Sequence, residues 1–299
     1  MARAAEILGP RAVRDAPLGK RTTYRVGGTA ALAVELTDER DVELLCQAVS
    51  ESGVEVLVVG KGSNLLVSDS GFPGLVVLVG GSGPLAGIEM AGDEVRAGAG
   101  VSLPVLARRS AADGRTGLEW AVGVPGSVGG AVRMNAGGHG SDVASCLTTA
   151  EVVDLRTGSA TARTAAALEL GYRRSAIGAH DLVVSAGFAT RPGDPAASAE
   201  VIEEIVRWRR ENQPGGQNAG SVFVNPEGDS AGRLVETAGC RGLRLGTAEV
   251  STRHANFIQA DPGGRAHDVF ALIREVQRRV KDHLGVDLVP EVRLAGAFE

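Results

Sequence analysis

The sequence predicts an α+β protein with more than one domain, on three observations. Strand, helix and strand patterns follow one another over residues 1–60, which is typical of a β-α-β unit. Short apolar runs separated by Gly, Pro and Asp turns occupy residues 75–98 and 148–190, which indicates further strands. Amphipathic helices dominate after the break at residues 192–195. A chain of 299 residues is long enough for two or three domains.

The opening unit has the clearest local signals. An apolar strand is predicted over residues 30–36, and Thr37 or Asp38 is expected to cap a helix that runs to about Ser52. The run of β-branched residues over 54–60 indicates a buried strand. These three elements in order predict the β-α-β unit.

Three other segments carry weaker patterns. Residues 21–30 alternate and stop at a glycine pair, which predicts a strand that enters a turn. Residues 164–170 are predicted to be weakly helical. Residues 286–296 are predicted to form a final strand that a proline interrupts.

Two helices after the break have apolar residues at helical spacing. The helix expected over residues 196–211 presents Val201, Ile205 and Trp208 on one side. The helix expected over residues 268–283 carries a longer apolar stripe. Both stripes predict a face that packs on a core.

Composition argues against several classes of protein. The 36 acidic and 31 basic residues give a formal net charge of −5, which argues against a nucleic-acid-binding protein. Cys46, Cys146 and Cys240 are far apart, so we expect reduced thiols rather than a disulfide framework or a zinc site. The histidines lack metal-binding spacing, and no metal is expected. A cytoplasmic protein is expected, because neither a signal peptide nor a long apolar run is present.

Glycine is concentrated in two segments, residues 60–66 and 117–140. The first follows a buried strand directly, and Ser63 and Asn64 add side-chain hydrogen-bond donors there. Successive N–H groups in tight turns can bind an anion such as a phosphate. Ordinary turns between strands explain the same composition, and the residues alone leave both explanations open. Neither a Walker A loop nor a G-x-G-x-x-G fingerprint is present.

Three polar segments could carry chemistry. Residues 172–175 place a tyrosine and two arginines after a glycine, and residues 220–226 place Ser221 in an apolar, β-like setting. Glu291 and Arg293 stand two apart in a predicted strand, so they share one face. Each segment also has a purely structural explanation, as a turn, a solvated strand edge and an exposed ion pair. A Gly-x-Ser-x-Gly elbow is absent, which argues against an α/β-hydrolase.

Six segments match one known family in the same order, from about residue 20 to the C-terminus. They are TTYRVGG, VVGKGSNLLVSDSGFPGLVV, GLEWAVGVPGSVGGAVRMNAGGHG, GYRRSAI, NAGSVFVNPEGDSAGRLVETAGCRGLRLGTAEVSTRHANFI and VPEVRLAG. Together they resemble the UDP-N-acetylenolpyruvoylglucosamine reductase family, also called UDP-N-acetylmuramate dehydrogenases. The short gap between Arg173 and Ser221 resembles the compact type II form, which lacks an insertion carrying a substrate-clamping tyrosine.

The resemblance implies an architecture. Residues 21–191 would form an FAD-binding domain of the vanillyl-alcohol oxidase (PCMH) type, made of two α+β subdomains. Residues 198–285 would form a C-terminal α/β substrate-binding lobe, and residues 1–20 an N-terminal arm. Residues 286–299 would return to the FAD domain as a strand. This order agrees with the elements predicted from local patterns.

The resemblance also implies a reaction and its participants. FAD, reduced by NADPH, would deliver hydride to the enolpyruvyl group of UDP-N-acetylglucosamine enolpyruvate. The product would be UDP-N-acetylmuramate, a precursor of peptidoglycan and so of the cell wall. The expected partners are that nucleotide sugar and NADPH, with no nucleic acid and no membrane. The sequence leaves the oligomeric state open, a monomer included.

The family motifs carry functional roles to positions in this chain. Ser221 is expected to donate a proton, and Arg173 and Glu291 to flank the enolate and the substrate carboxylate. Asn225 would reach the UDP diphosphate, and Tyr172 the substrate. The residues expected to bind FAD are Gly60, Gly62, Ser63, Asn64, Leu65, Gly123, Pro125, Gly126, Ser127, Gly130, Asn135, Ala136, Gly137 and Arg293.

One position departs from the family pattern. The family usually has a basic residue, often lysine, in the GSVF-x-NP segment, where this chain has Val224. A related flavoenzyme of a secondary pathway, acting on a different enol ether or alcohol, is therefore an alternative. A non-catalytic flavin- or nucleotide-binding protein is another. Binding alone, however, would not need Arg173, Ser221 and Glu291 together.

Overall fold

A computed structural model describes residues 1–81 and 83–298 of the chain. Short 3-10 helices occur at Gly9–Arg11, Gly19–Arg21, Gly83–Ala86 and Glu119–Gly123. The α-helices of the described residues are α1 (Ala2–Leu8), α2 (Glu39–Ser52), α3 (Leu103–Ala112), α4 (Val128–Met134), α5 (Pro195–Asn212), α6 (Ala231–Thr237) and α7 (Ala266–Leu284). The strands are β1 (Val13–Ala16), β2 (Ala30–Leu36), β3 (Val56–Val59), β4 (Leu65–Val67), β5 (Phe72–Val79), β6 (Ile88–Ala91), β7 (Glu94–Gly98), β8 (Arg115–Thr116), β9 (Gly137–Gly138), β10 (Ser141–Asp142), β11 (Leu147–Asp154), β12 (Ala160–Thr164), β13 (Asp181–Ala189), β14 (Arg191–Pro192), β15 (Arg244–Leu245), β16 (Ala248–Val250), β17 (Ile258–Ala260) and β18 (Arg293–Ala295).

Contacts within the chain divide it into two compact units, each made of three segments. Unit 1 contains Met1–Arg14, Leu32–Lys61 and Gly74–Arg209. Unit 2 contains Asp15–Ala31, Gly62–Pro73 and Arg210–Glu299. The domain boundaries expected near residues 20, 191 and 285 stay a prediction, since this division interleaves the chain.

The predicted β-α-β unit is confirmed by β2, α2 and β3. Asp38 caps α2, because its side chain accepts a hydrogen bond from Asp41 N and the Asp41 side chain accepts one from Asp38 N. Gly53 ends the helix in the left-handed conformation, at φ 61°. In the first sheet, of order β1-β2-β5-β3, β3 pairs in parallel with β5. Helix α2 connects β2 to β3, and the segment over residues 60–71, which contains β4, connects the parallel pair β3 and β5.

The second sheet of unit 1 has the order β12-β11-β13-β7-β6 and is antiparallel throughout. The helix predicted over residues 164–170 is wrong. Thr164 ends β12, opposite Thr149 of β11, and the chain then makes a single turn in which Leu168 N donates to Thr164 O. The buried side chain of Leu168 anchors this turn. Pairing with β11 therefore overrides a weak local helix preference.

The predicted packing face of α5 is partly wrong. Ile205 is buried as expected, but Val201 and Trp208 are 46% and 45% exposed. The buried positions are Ser198, Ile202 and Ile205. They follow the i, i+4, i+7 spacing of one helical face, rotated from the predicted one. The buried face of α5 contains Ser198, whose Oγ donates a hydrogen bond to Glu119 Oε1 at 2.6 Å.

Unit 2 is built around α6, α7 and the three-stranded sheet β15-β16-β17. The predicted stripe of α7 is confirmed, because its apolar residues are buried in one core. Gly285 ends α7 at φ 71°. Of the strand predicted over residues 286–296, only β18 forms, and it pairs in parallel with β4. Among the described residues, no helix is long and apolar enough to cross a membrane.

The prediction of a strand over residues 21–30 is wrong for residues 21–29, and β2 begins only at Ala30. Thr22 Oγ1 donates to Gly19 O, and Arg25 N donates to Thr22 O, so the chain turns instead of extending. Gly27 lies at φ 103°, and a Cβ there would come within 2.2 Å of Val67 O. The alternating residues therefore form a tight loop because the backbone packs closely on a neighbouring segment of unit 2.

Candidate functional site

The loop after β3 is packed so closely that two of its glycines leave no room for a side chain. In unit 1, a Cβ on Gly60 would lie 2.1 Å from Ser127 Oγ. In unit 2, Gly62 has φ 59°, and a Cβ there would lie 2.5 Å from Arg21 O. Gly60 is therefore explained by the close approach of the Ser127 side chain, and Gly62 by the close approach of backbone together with its left-handed conformation.

Two buried hydroxyl groups lie in the unit 2 segment that contacts this loop. Thr23 N donates to Gly62 O at 3.1 Å. Within residues 1–81 and 83–298, Thr23 Oγ1 and Tyr24 OH are buried and have no hydrogen-bond partner. Burial also raises the pKa of the Tyr24 hydroxyl, so it stays protonated and able to donate. Because such groups cost about 1–3 kcal/mol when unpaired, they favour a polar ligand or water nearby.

The second glycine-rich segment, in unit 1, contains α4 and the turns on both sides of it. Ser127 is the N-cap of α4, and Asn135 is its C-cap in the left-handed conformation at φ 40°. A Cβ on Gly123 would lie 2.3 Å from the His139 ring, and one on Gly137 would lie 2.6 Å from Asp142 Cβ. At Gly123 and Gly137, neighbouring residues therefore pack so closely that a side chain would not fit.

The side chain of Asn135 is fully engaged inside unit 1. Its Nδ2 donates to Gly171 O at 3.0 Å and to Asp142 at 3.2 Å, and its Oδ1 accepts from Ala144 N at 2.8 Å. The residue is only 3% exposed. A contact between Asn135 and FAD, as the sequence predicts, would therefore involve the main chain. Its amide instead fixes the segment that leads into Tyr172 and Arg173.

Arg173 is the predicted catalytic residue that belongs to unit 1. It adopts φ 57°, which is uncommon for a residue with a side chain. Its Nη2 donates to Gly137 O at 3.1 Å, so the structure brings this arginine to the second glycine-rich segment. Its guanidinium also lies 5.0 Å from the ring centre of Tyr172, whose side chain is 57% exposed. Ser175 Oγ adds a third link between the two segments by donating to Arg133 O.

Ser221 and Glu291 belong to unit 2, and their segments lie side by side. Glu291 N donates to Val222 O at 2.7 Å, and Val224 N donates to Val289 O at 2.9 Å. Between these bonds, Phe223 and Pro290 form an antiparallel bridge. Residues far apart in the chain thus form one backbone framework that holds the predicted proton donor and the predicted carboxylate.

The first glycine-rich loop joins the same framework through Asn64. Its Nδ2 donates to Glu291 O at 3.1 Å, and its main-chain oxygen accepts from Arg293 N at 3.0 Å. Asn64, Leu65 and Arg293 were all predicted to bind FAD, and the parallel pairing of β4 with β18 brings them together. Asn225 is exposed, and its Oδ1 accepts from Ala231 N at the start of α6.

Sequence reasoning missed Asn256, which lies between Ala255 and Phe257 and is 3% exposed. Its Nδ2 donates to Phe223 O at 2.8 Å, and its Oδ1 accepts from Phe223 N at 2.9 Å. Its main-chain oxygen accepts from Val222 N. A polar residue between apolar neighbours was the available signal, because such a residue needs a buried partner.

Comparisons with known proteins cover both units. The protein-family model for the FAD binding domain matches residues 30–162. The family model for the UDP-N-acetylenolpyruvoylglucosamine reductase C-terminal domain matches residues 212–295. A UDP-N-acetylenolpyruvoylglucosamine reductase of Rubrobacter xylanophilus is 41% identical over 291 residues, which cover 97% of each chain. One from Synechococcus is 43% identical over 95% of this chain and 94% of its own. The chain belongs to the UDP-N-acetylenolpyruvoylglucosamine reductase family.

Solved structures agree with this membership. The crystal structure of the reductase from Thermus caldophilus superposes with a TM-score of 0.81 at 34% identity, over 95% of this chain and 98% of that chain. The resemblance found in the six motifs is thereby confirmed, as is an α+β fold with an FAD-binding domain and the C-terminal domain of this family. The chain is a member of a family of FAD-dependent oxidoreductases, whose reductant is NADPH.

Proposed function

We propose that this chain catalyses the reaction for which its family is named, in the cytoplasm, as a step of peptidoglycan precursor synthesis. It would reduce UDP-N-acetylglucosamine enolpyruvate to UDP-N-acetylmuramate, with FAD as cofactor and NADPH as reductant. The observation that carries the proposal is the backbone framework of unit 2. This framework holds the Ser221 segment against that of Glu291 through the bond from Glu291 N to Val222 O.

The residues present fit FAD. The loop over residues 60–65 and the segment over 123–137 present backbone with no space for Cβ atoms at several glycines. Thr23 Oγ1 and Tyr24 OH add buried hydroxyls beside the first loop. Such backbone and hydroxyl groups suit a phosphate-bearing cofactor. When bound, FAD supplies the hydride, which it takes from NADPH, for the terminal carbon of the enolpyruvyl group.

Ser221 would supply the proton that completes the reduction. Addition of hydride to the terminal carbon moves the electron pair of the double bond onto the carbon next to the carboxylate. A new C–H bond forms there as Ser221 Oγ gives up its proton, and the serine regains one from water. Because a serine hydroxyl is a weak acid, this transfer needs a strongly basic carbon and a hydroxyl held in place.

Arg173 and Glu291 would act on the charge of the intermediate. The guanidinium of Arg173 is a planar donor that suits a carboxylate or an enolate oxygen. Its Nη2 donates to Gly137 O, which places the guanidinium beside the second glycine-rich segment. Glu291 would take part as a protonated or hydrogen-bonded group. A pH–rate profile that is the same in Glu291→Gln as in the native enzyme would contradict this role.

Ser221→Ala tests the proposal directly. With the flavin-loaded enzyme, NADPH should bleach the visible flavin spectrum at the native rate. Return of the colour on addition of the nucleotide-sugar enol ether should be slowed by about 10²-fold or more, the range of a lost general acid. A native enzyme whose colour does not return with this substrate would refute the proposed function. A native rate in Ser221→Ala would refute the role of the serine.

A related flavoenzyme with another substrate is the second candidate, and Val224 favours it. Val224 N donates to Val289 O, and the Val289 side chain is 61% exposed, so two valines adjoin where the family usually has a cation. Return of flavin colour with a different enol ether, and not with the nucleotide sugar, would support this candidate.

A further inference from the structure

We propose that Asn256 is a positioning residue for Ser221. Its buried carboxamide holds the backbone of residues 222–224 in one register, and that register sets where Ser221 stands relative to Glu291. The inference rests on the proposed function only in assigning proton transfer to Ser221. The contacts of Asn256 carry the rest.

The carboxamide of Asn256 takes the place of a neighbouring strand. Its Oδ1 accepts from Phe223 N at 2.9 Å and its Nδ2 donates to Phe223 O at 2.8 Å, while its main-chain oxygen accepts from Val222 N at 2.8 Å. A peptide group of a paired strand would offer the same donor and acceptor. An aspartate of similar size lacks the donor, and a leucine lacks both the donor and the acceptor. The pairing with Phe223 therefore requires an amide.

The opposite edge of the same segment faces residues 289–291. Val222 O accepts from Glu291 N at 2.7 Å, and Val224 N donates to Val289 O at 2.9 Å. Phe223 is therefore held on one side by Asn256 and bridged on the other to Pro290. Loss of the Asn256 carboxamide would leave Phe223 N and Phe223 O without these partners, two residues after Ser221.

The loop that carries Asn256 is itself fixed. Asn256 N donates to His254 Nδ1 at 3.2 Å, and Phe257 N donates to His254 O at 3.0 Å. The hydroxyl of Ser251, a residue 2% exposed, accepts from Arg253 N at 3.1 Å. Burial also lowers the pKa of His254, which keeps its Nδ1 available as an acceptor near neutral pH. These bonds fix the main chain from which the Asn256 side chain extends.

The chemical consequence follows from the sensitivity of proton transfer to geometry. A displacement of about 1 Å in a reacting group can cost about 10²-fold in rate. Asn256→Asp keeps the size of the side chain and the acceptor for Phe223 N, but it sets a carboxylate oxygen against Phe223 O. We expect this variant to slow the return of flavin colour by about tenfold or more, with bleaching by NADPH within about twofold of native.

The decisive experiment is a double-mutant cycle on the flavin-loaded enzyme, with Asn256→Asp and Ser221→Ala measured singly and together. If Asn256 acts through Ser221, its substitution slows the second half-reaction in the native background and has little further effect in Ser221→Ala. Equal slowing in both backgrounds, or no slowing in either, overturns the proposal. If Ser221→Ala by itself is as fast as native, the role of the serine has failed and the positioning role falls with it.

Asp268→Asn is the matched control. Asp268 is also a buried side chain of unit 2 that binds backbone elsewhere, since its Oδ2 accepts from Thr247 N at 2.8 Å and from Thr247 Oγ1 at 2.7 Å. Its substitution also changes one terminal atom of a buried hydrogen-bonded group. We expect a comparable loss of stability without the selective slowing of the second half-reaction. Selective slowing in Asp268→Asn would show that general destabilisation explains the effect.

Hydrogen exchange provides a test that needs no variant. The amide of Phe223 should be protected in the native protein to a degree similar to that of Val250 at the end of β16, which donates to Leu243 O. Exchange of the Phe223 amide as fast as that of an exposed loop would overturn the proposed hold of Asn256 on Phe223, even if every variant failed to fold.

Discussion

Asn135 Nδ2 donates to Gly171 O at 3.0 Å and so links the end of α4 to the segment that carries Arg173. The two residues are 36 positions apart. Arg173 Nη2 bonds to Gly137 O and Ser175 Oγ to Arg133 O, so three hydrogen bonds join the same pair of segments. The predicted cofactor segment and the predicted catalytic arginine therefore form one structural assembly within unit 1.

Substitution of Asn135 by alanine should destabilise the protein and weaken this link. The variant would lose the three hydrogen bonds of the buried Asn135 side chain, each worth about 0.5–1.5 kcal/mol, and φ 40° would strain the alanine by about 1 kcal/mol more. We expect a lower urea midpoint and a higher KM for the nucleotide sugar. Asn135→Gly is the control, because it removes the amide without the strain. Equal midpoints for native and Asn135→Ala would contradict the assignment.

Gly60→Ala should weaken FAD binding without unfolding unit 1. The new Cβ would meet Ser127 Oγ at 2.1 Å, so the Ser127 side chain must shift by about an ångström. We expect the dissociation constant for FAD to rise about tenfold or more, measured by flavin fluorescence, which corresponds to about 1.4 kcal/mol.

Gly215→Ala is the matched control for that change, because a Cβ on Gly215 would meet nothing within 4 Å. Its FAD affinity should stay native. Ser127→Ala in the Gly60→Ala background should restore part of the affinity, since the remaining contact would be to Cβ at 3.1 Å. An unchanged affinity in Gly60→Ala would remove the steric argument for this glycine.

Asp268 should make unit 2 more stable above about pH 4 than below it. Hydrogen bonds from the hydroxyl and N–H of Thr247 lower the pKa of this carboxyl group. The unfolded state, with a pKa of about 3.9, then binds more protons than the folded state as the pH falls. The contribution is complete above the unfolded pKa and is lost as the pH falls through the folded pKa.

The measurement for this prediction is the urea midpoint between about pH 6 and pH 3 in native protein and in Asp268→Asn. The amide does not titrate, so the midpoint of the variant should fall less steeply over this range. Parallel curves for the two proteins would show that Asp268 is not a source of the acid sensitivity.

Val224→Lys should strengthen binding of the diphosphate-bearing substrate. The side chain of Val224 is half-buried and its backbone neighbour Val289 is 61% exposed, so a lysine there can reach solvent with its ammonium group. We expect KM for the nucleotide sugar to fall about threefold at low salt, with a smaller gain at 0.5 M salt because of screening. Val289→Lys adds the same charge on the adjacent segment and serves as control. An equal fall in both variants would indicate a general charge effect.

Local sequence was sufficient for elements whose signals are local. The cap at Asp38, the stop at Gly53 and the stripe of α7 all depend on residues within a few positions of one another, and each is confirmed. The motifs around Ser221 and Glu291 likewise identified the family, because their residue types recur in fixed order. Family membership could therefore be predicted without a structure, whereas the roles of Ser221 and Glu291 stay predictions.

Elements whose outcome depends on distant partners could not be predicted in this way. The residues around Thr164 pair with β11 instead of continuing as a helix, and the packed face of α5 includes Ser198 because Glu119 accepts its hydrogen bond. The loop over residues 21–29 bends because Gly27 packs against Val67. In each case, a contact made only in the folded chain outweighs a weak local preference.

For this protein, sequence by itself determined the class of fold and the family and supplied the predictions for the residues of the site, because all of these depend on local pattern and residue type. Tertiary structure decided how those residues are held. Asn135 reaches Gly171 and Asn256 reaches Phe223 across 36 and 33 positions of chain. A side-chain amide has no preferred partner until folding brings a buried backbone donor and acceptor within about 3 Å of it.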